Sequence, residues 1–169
     1  MQLSDHFTLS EAEKSQTAIR NDIDNSAPSW ALPRLQEVAC QILEPCRAHF
    51  GRGYSPSSWW RSEALCKALV REKPGESPAA LQARVQRALQ SQHAKGEAVD
   101  FEIPGVSNYD LAKFISKQLS FDQLILEFYT PGSPSSGWVH CSYLNGTANR
   151  HEILWYNGGA WHQGLPNLQ

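Results

Sequence analysis

Between Pro28 and Phe50 apolar side chains recur at Leu32, Leu35, Val38, Ala39, Ile42, Leu43, Cys46 and Phe50. This three-and-four spacing predicts a helix with one buried stripe, ended by Gly51 and Gly53 and limited or bent by Pro33 and Pro45. Upstream, Ser10-Glu11-Ala12-Glu13 reads as a capping box and predicts a short helix from Ser10 to Arg20, broken by the Asp24 to Pro28 stretch. Downstream, Ser57 to Ser62 reads as a short strand ending at a turn, followed by a helix from Glu63 to Val70. Arg71 to Ser77 is charged and contains Pro74 and Gly75, which predicts an exposed loop, and Pro78 to Gln90 is rich in helix formers.

From Ala98 the period changes from helical to two. Ala98, Asp100 and Glu102 alternate with Val99, Phe101 and Ile103, the pattern of a strand with one buried face, and Asp100 falls on the less apolar side. Asn108 to Leu119 is helical again, with Leu111, Phe114, Ile115 and Leu119 on one side. Asp122 to Phe128 and Trp138 to Tyr143 read as strands separated by a Pro, Gly and Ser loop from Pro131 to Gly137. Ile153 and Trp155 alternate before Asn157-Gly158, a hairpin signal because turn residues there tolerate positive φ. Helices first and strands later imply a single α+β domain over residues 1–169, with N-terminal helices packed on a central antiparallel sheet.

A chain of 169 residues with 41% hydrophobic content can bury one sizeable core. Its formal net charge is -2, and the Lys and Arg residues are scattered, so nucleic acid is not an expected partner. No apolar run reaches the roughly 18 residues of a spanning helix, and Met1 to Phe7 lacks the basic and apolar regions of a signal peptide. The expectation is a monomer, without membrane insertion, made in a bacterial or phage-infected cytoplasm. Cys40 and Cys46 point to different faces of one helix, so free thiols are expected. Asn145-Gly146-Thr147 fits a glycosylation acceptor but reads as a turn.

The chemistry concentrates in two segments. Ser91-Gln92-His93-Ala94-Lys95-Gly96-Glu97-Ala98-Val99-Asp100 puts a histidine on a loop and an aspartate on the following strand, with Gly96 free to turn the chain between them. Gly137-Trp138-Val139-His140-Cys141-Ser142 places a second histidine in a strand. Two neutral imidazoles and one carboxylate form the ligand set that leaves a catalytic zinc an open position. The cysteines lack the paired short spacings of a closed structural site. Cys141 is not a nucleophile paired with His140, because adjacent strand residues face opposite ways.

The pattern S-Q-H-x-x-G-x-A-x-D followed by W-V-H, with W-R-S upstream, resembles the zinc D-Ala-D-Ala carboxypeptidase family of metallopeptidases. That family includes phage endolysins and belongs to a wider group with lysostaphin-type enzymes and the hedgehog domain. The likeness extends to Phe7 to Ala18, Ile42 to Arg47 and Pro104 to Asn108, and is to the small single-domain branch. It implies one Zn2+ per chain held by His93, Asp100 and His140, and Arg61 near the substrate carbonyl. The implied activity is hydrolysis of the peptide stem of peptidoglycan, as a carboxypeptidase or an endolysin-type endopeptidase. Arg61, Trp138 and Gln92 are the expected substrate-binding residues.

Two departures stand out. Many members carry a Glu three residues, or a His two residues, before the last ligand as general base; here those positions are Gly137 and Trp138. The substitute is Glu127, which alternation puts with Gln123 opposite Leu124, Leu126 and Phe128. The stretch between Arg61 and His93 is also longer than usual in that branch, the excess falling around Arg71 to Gln90, as a wall or lid over the cleft or as a solvated excursion. The missing base keeps a second reading open, a catalytically inactive metal-binding structural or cell-wall-binding module such as a phage structural protein.

Overall fold

A computed structural model describes residues 1–145 and 148–167. It is an α+β fold in which helices cover one face of a five-stranded mixed sheet. The N-terminal helix expected over Ser10 to Arg20 is two short helices, α1 (Leu9–Ala12) and α2 (Gln16–Arg20). Thr8 takes the capping role instead of Ser10: its hydroxyl accepts from the Glu11 N–H, and the Glu11 carboxylate accepts from the Thr8 N–H at 2.9 Å. Ser15 then caps a fresh helix by accepting from the Ala18 N–H. Thr8-x-x-Glu11 and Ser10-x-x-Glu13 are competing boxes two residues apart. The first wins because Glu13 is engaged elsewhere, accepting from the Ala27 N–H at 2.8 Å.

The long helix follows as α3 (Leu32–Val38), a π-helical turn over Ala39–Leu43, and α4 (Glu44–Phe50), entered through a 3₁₀ turn at Ser29–Ala31. Pro45 has no N–H for the carbonyl four residues back, and the ladder widens just before it, with the Glu44 N–H donating to the Ala39 carbonyl. The predicted stripe is where the burial is: Leu35, Val38, Ala39, Ile42, Leu43 and Cys46 are all fully buried.

Ser57 to Ser62, expected as a strand, forms only a bridge: the Ser57 N–H donates to the Asp100 carbonyl and the Asp100 N–H to the Ser58 carbonyl. The segment is anchored on its other side by the Trp60 N–H donating to the Ala12 carbonyl and by Asn25, which bonds the backbone of Trp60 and Ser62. The N-terminal helices therefore fix the segment that carries Arg61. Ser62 caps α5 (Glu63–Leu69), and Ser77 caps α6 (Pro78–Leu89).

The sheet comprises β1 (Ala98–Phe101), β2 (Gln123–Glu127), β3 (Trp138–Ser142), β4 (Glu152–Tyr156) and β5 (Trp161–Gln163), in the order β1-β3-β2-β4-β5. Between β1 and β2 runs α7 (Asn108–Gln118). The expectation of a wholly antiparallel sheet is corrected at one place: β4 pairs with β2 in parallel. β3 already has β1 and β2 on its two edges, so β4 must add beyond β2. Having reversed direction after β3, it runs with β2. The β4–β5 hairpin turns through residues 157–160, and of Asn157-Gly158 only Gly158 has positive φ.

One sheet face, with Val99, Phe101, Leu124, Leu126, Val139 and Cys141, joins the α3–α4 stripe and Leu111, Ala112 and Ile115 of α7 in a single buried cluster. The other face carries Asp100, His140, Trp138 and Glu127. β1 is buried on both faces, not one, because the Ser57 to Arg61 segment and the turn carrying His93 cover its second side. Phe128 does not continue the core face; at φ 53 it leaves β2 and is half exposed. All four cysteines are free, and Cys141 faces the core, away from His140. Gly146 and Thr147 of the acceptor-like tripeptide lie outside the described residues. No described helix is long and apolar enough to cross a membrane.

Candidate metal centre

Antiparallel pairing sets Asp100 directly opposite His140, so both side chains rise from the same face. His93 arrives from the turn before β1, which closes with the Gly96 N–H donating to the His93 carbonyl and Gly96 at φ +74. Each of the three residues offers one ligand atom, all within 4.8 Å of one another. They are 4%, 6% and 5% exposed for His93, Asp100 and His140, which removes them from competing water. Asp100 Oδ1 is 3.2 Å from His93 Nε2 and 2.9 Å from His140 Nδ1.

The groups behind these atoms decide what they present. His93 Nδ1 stands 2.7 Å from the Trp59 carbonyl oxygen, which can only accept. Nδ1 therefore carries the proton and Nε2 offers a lone pair. His140 stands between two acceptors, Gln92 Oε1 at 2.9 Å from Nε2 and Asp100 Oδ1 at 2.9 Å from Nδ1; with a cation in the cluster the ring proton sits on Nε2 and Nδ1 is free to ligate. Asp100 Oδ2 accepts from Arg61 Nη2 at 2.9 Å, leaving Oδ1 to the cluster. His93 Nε2, His140 Nδ1 and Asp100 Oδ1 thus converge on one small buried volume, an arrangement that could hold a cation. The donor set fits a divalent metal of the kind that takes imidazole and carboxylate ligands.

The electrostatics agree. Burial drives His93 toward its neutral, ligating form, against the pull of Asp100. Burial alone would raise the Asp100 carboxyl, but in the metal-free protein positive charge and proton donation from the His93 and His140 rings outweigh it and hold the group well below the usual carboxylate range, the role a bound cation would take over. Such a buried, ionised carboxylate is stable only because it is paired and hydrogen-bonded.

Glu127 ends β2 opposite Trp138 and shares the face of His140. It stands outside the three-residue cluster, and its carboxylate takes no hydrogen bond among the described residues. Burial and then the charge of Asp100 raise its pKa, with His140 and Arg61 offsetting part of the effect. It therefore holds a proton more readily than a free glutamate, the property of a group that both takes and gives one.

The structure also explains why no base can stand at Gly137. With φ +66, a Cβ there would meet the Glu127 carbonyl oxygen at 1.8 Å. The two backbones touch where another side chain would have to begin.

A cleft of about 360 Å³ opens beside the cluster, lined in part by Ser58, Trp60, Arg61, Leu65, Asp100 and Trp138. Arg61 donates from Nε and Nη2 to Ser58 Oγ and from Nη2 to Asp100, which leaves Nη1 without a protein acceptor among the described residues. Trp138 begins a chain of rings, Trp138, Phe128, Tyr156 and Trp161, with successive centroids 5.1, 5.2 and 4.8 Å apart. Trp59 and Trp60 are core residues.

Of the residues singled out in the sequence, His93, Asp100, His140, Arg61, Trp138 and Glu127 gather on one face. Gln92 does not line the cleft; it lies behind His140 with its carboxamide committed to protein partners. Within the excursion α6 packs on α5, and its end reaches the far side of Arg61, where Leu89 and Gln90 line a neighbouring cavity of about 620 Å³ with Trp60 and Arg61. The Trp59 carbonyl, Asp122, Ser142 and Arg150 escape sequence reasoning. Ser142 alone carries a signal, sharing the face of His140 two positions along the strand. No family model, curated protein or solved structure matches this chain.

Proposed function

We propose that the chain is a zinc-dependent peptidase of the D-Ala-D-Ala carboxypeptidase and endolysin type, cutting peptide bonds in the peptidoglycan stem. The observation that supports this reading most is the convergence of three buried candidate ligand atoms, each with a partner behind it, beside an open cleft. His93, Asp100 and His140 would hold the ion. Zinc in such a site supplies Lewis acidity, the chemistry that activates water and polarises a carbonyl at neutral pH.

The other residues divide the remaining work. Arg61 is held rigidly by Ser58 and Asp100, and its free Nη1 binds a substrate carboxylate or carbonyl oxygen without needing to reorganise. Glu127, half-buried and with its pKa raised by desolvation and by the charge of Asp100, takes a proton from the attacking water and passes it to the leaving amine. Trp138 forms an apolar wall against the stem peptide.

The test is incubation of the zinc-loaded protein with defined stem peptides, products being read by mass. Release of a terminal D-alanine identifies a carboxypeptidase, and internal scission an endopeptidase. Intact peptides in the presence of bound zinc would overturn the enzyme reading and leave a metal-holding structural or cell-wall-binding module.

A further inference from the structure

Gln92 has one arrangement that satisfies all its neighbours. Asp122 is fully buried, and its carboxylate takes paired hydrogen bonds from Arg150, Nε to Oδ1 at 2.7 Å and Nη2 to Oδ2 at 2.8 Å. The same Oδ2 accepts from Gln92 Nε2 at 3.0 Å. A carboxylate facing a guanidinium can only accept, so the amide nitrogen of Gln92 must point at Asp122. Its oxygen then has to face His140 Nε2, at 2.9 Å. Ser142 Oγ, 2.9 Å from Gln92 Nε2, steadies the amide from the side.

We propose that Gln92 is a positioning residue that sets the tautomer and ring orientation of His140 for metal binding, and that Asp122, clamped by Arg150, sets Gln92. The inference rests on the metal-binding reading of the site. An amide reversed by 180° would turn N–H groups on His140 Nε2, move the imidazole proton to Nδ1 and block the ligating lone pair. Arg150, with its side chain 55% exposed on the far side of this relay, thereby acts on a buried ligand that it does not touch.

The test compares the zinc affinity of the parent, Gln92→Met and the double variant Gln92→Glu with Asp122→Asn, by competition with a chromogenic chelator. Gln92→Met keeps the volume and removes the acceptor, and it should weaken zinc binding about 10–100-fold, the usual cost of losing such a partner. The double variant exchanges amide and carboxylate between the two positions. The amide now at position 122 donates to the carboxylate now at position 92, which still accepts from His140, so most of the lost affinity returns. Long-range proton–nitrogen spectra of the zinc-loaded parent should show the proton on His140 Nε2 exchanging slowly with water, and in Gln92→Met that protection is lost. Should Gln92→Met fail to fold, Arg150→Met tests the same relay from its exposed end and weakens binding in the same direction. Unchanged zinc affinity and unchanged His140 spectra in a folded variant overturn the inference while leaving the metal site standing. A parent that binds no zinc overturns both.

Discussion

Replacing Gly137 with alanine probes the backbone junction that places Glu127 beside the cluster. Two costs add. The first is conformational: φ +66 lies in the left-handed region, where a Cβ costs about 1–2 kcal/mol. The second is steric. The new Cβ would sit 1.8 Å from the Glu127 carbonyl oxygen and 2.8 Å from the carbonyl carbon of Phe128, both backbone atoms that no side-chain rotation can clear. Carbon and oxygen approach to about 3.3 Å even in close C–H···O contacts, so β2 and β3 must part by roughly 1.5 Å at the Glu127–Trp138 pair. Losing the pairing there and leaving buried backbone groups unsatisfied adds about 1–3 kcal/mol. The sum is roughly 2–5 kcal/mol, or a fall in Tm of about 4–20 °C for a domain of this size. Gly132→Ala supplies the control, since Gly132 has φ +83 in the same loop but nothing within 4 Å of its Cβ position, so it carries the conformational cost alone. Thermal and denaturant unfolding of both variants, metal-free, separates the two terms. A Gly137→Ala variant no less stable than Gly132→Ala would refute the account of this junction.

Glu127→Gln should fold and bind zinc like the parent yet cut stem peptides about 100-fold more slowly or worse, the low end for general acid–base catalysis, and full retention of turnover would remove Glu127 from the mechanism. Arg150 hydrogen bonds hold Asp122 below its ordinary pKa, so this pair contributes stability that is present above the unfolded pKa and lost as pH falls through the folded one. Metal-free Arg150→Met should therefore lose less stability than the parent on acidification below about pH 5, and identical acid profiles would count against the pairing. Native protein should react with a thiol reagent at Cys40, with Cys46, Cys66 and Cys141 responding only after denaturation.

Most of the elements are legible in the sequence because burial and period agree in them. The α3–α4 stripe, β1 to β3 and α7 are all recognisable from apolar spacing alone. Where expectation and structure part, the deciding interaction is tertiary. Glu13 could close a box with Ser10 but is held by Ala27, which lies fourteen residues away. The parallel β2–β4 pair follows from which sheet edges are already occupied, which no local pattern encodes. The candidate ligand set is legible because His93 and Asp100 flank one turn, and strand alternation places His140, with Glu127 on the same face. The family resemblance places Gln92 at the substrate, whereas its side chain turns behind His140. Its true partners, Asp122 and Ser142, come from 30 and 50 residues further along the chain. Arg150 is more remote still, and only the folded hydrogen-bond network connects it to the site.

The most direct test of the central claim is the zinc content of purified protein by elemental analysis, with His93→Ala and Asp100→Ala prepared identically. The account predicts close to one zinc per parent chain and far less in both variants. A parent that holds no zinc even after the ion is supplied at neutral pH would contradict it.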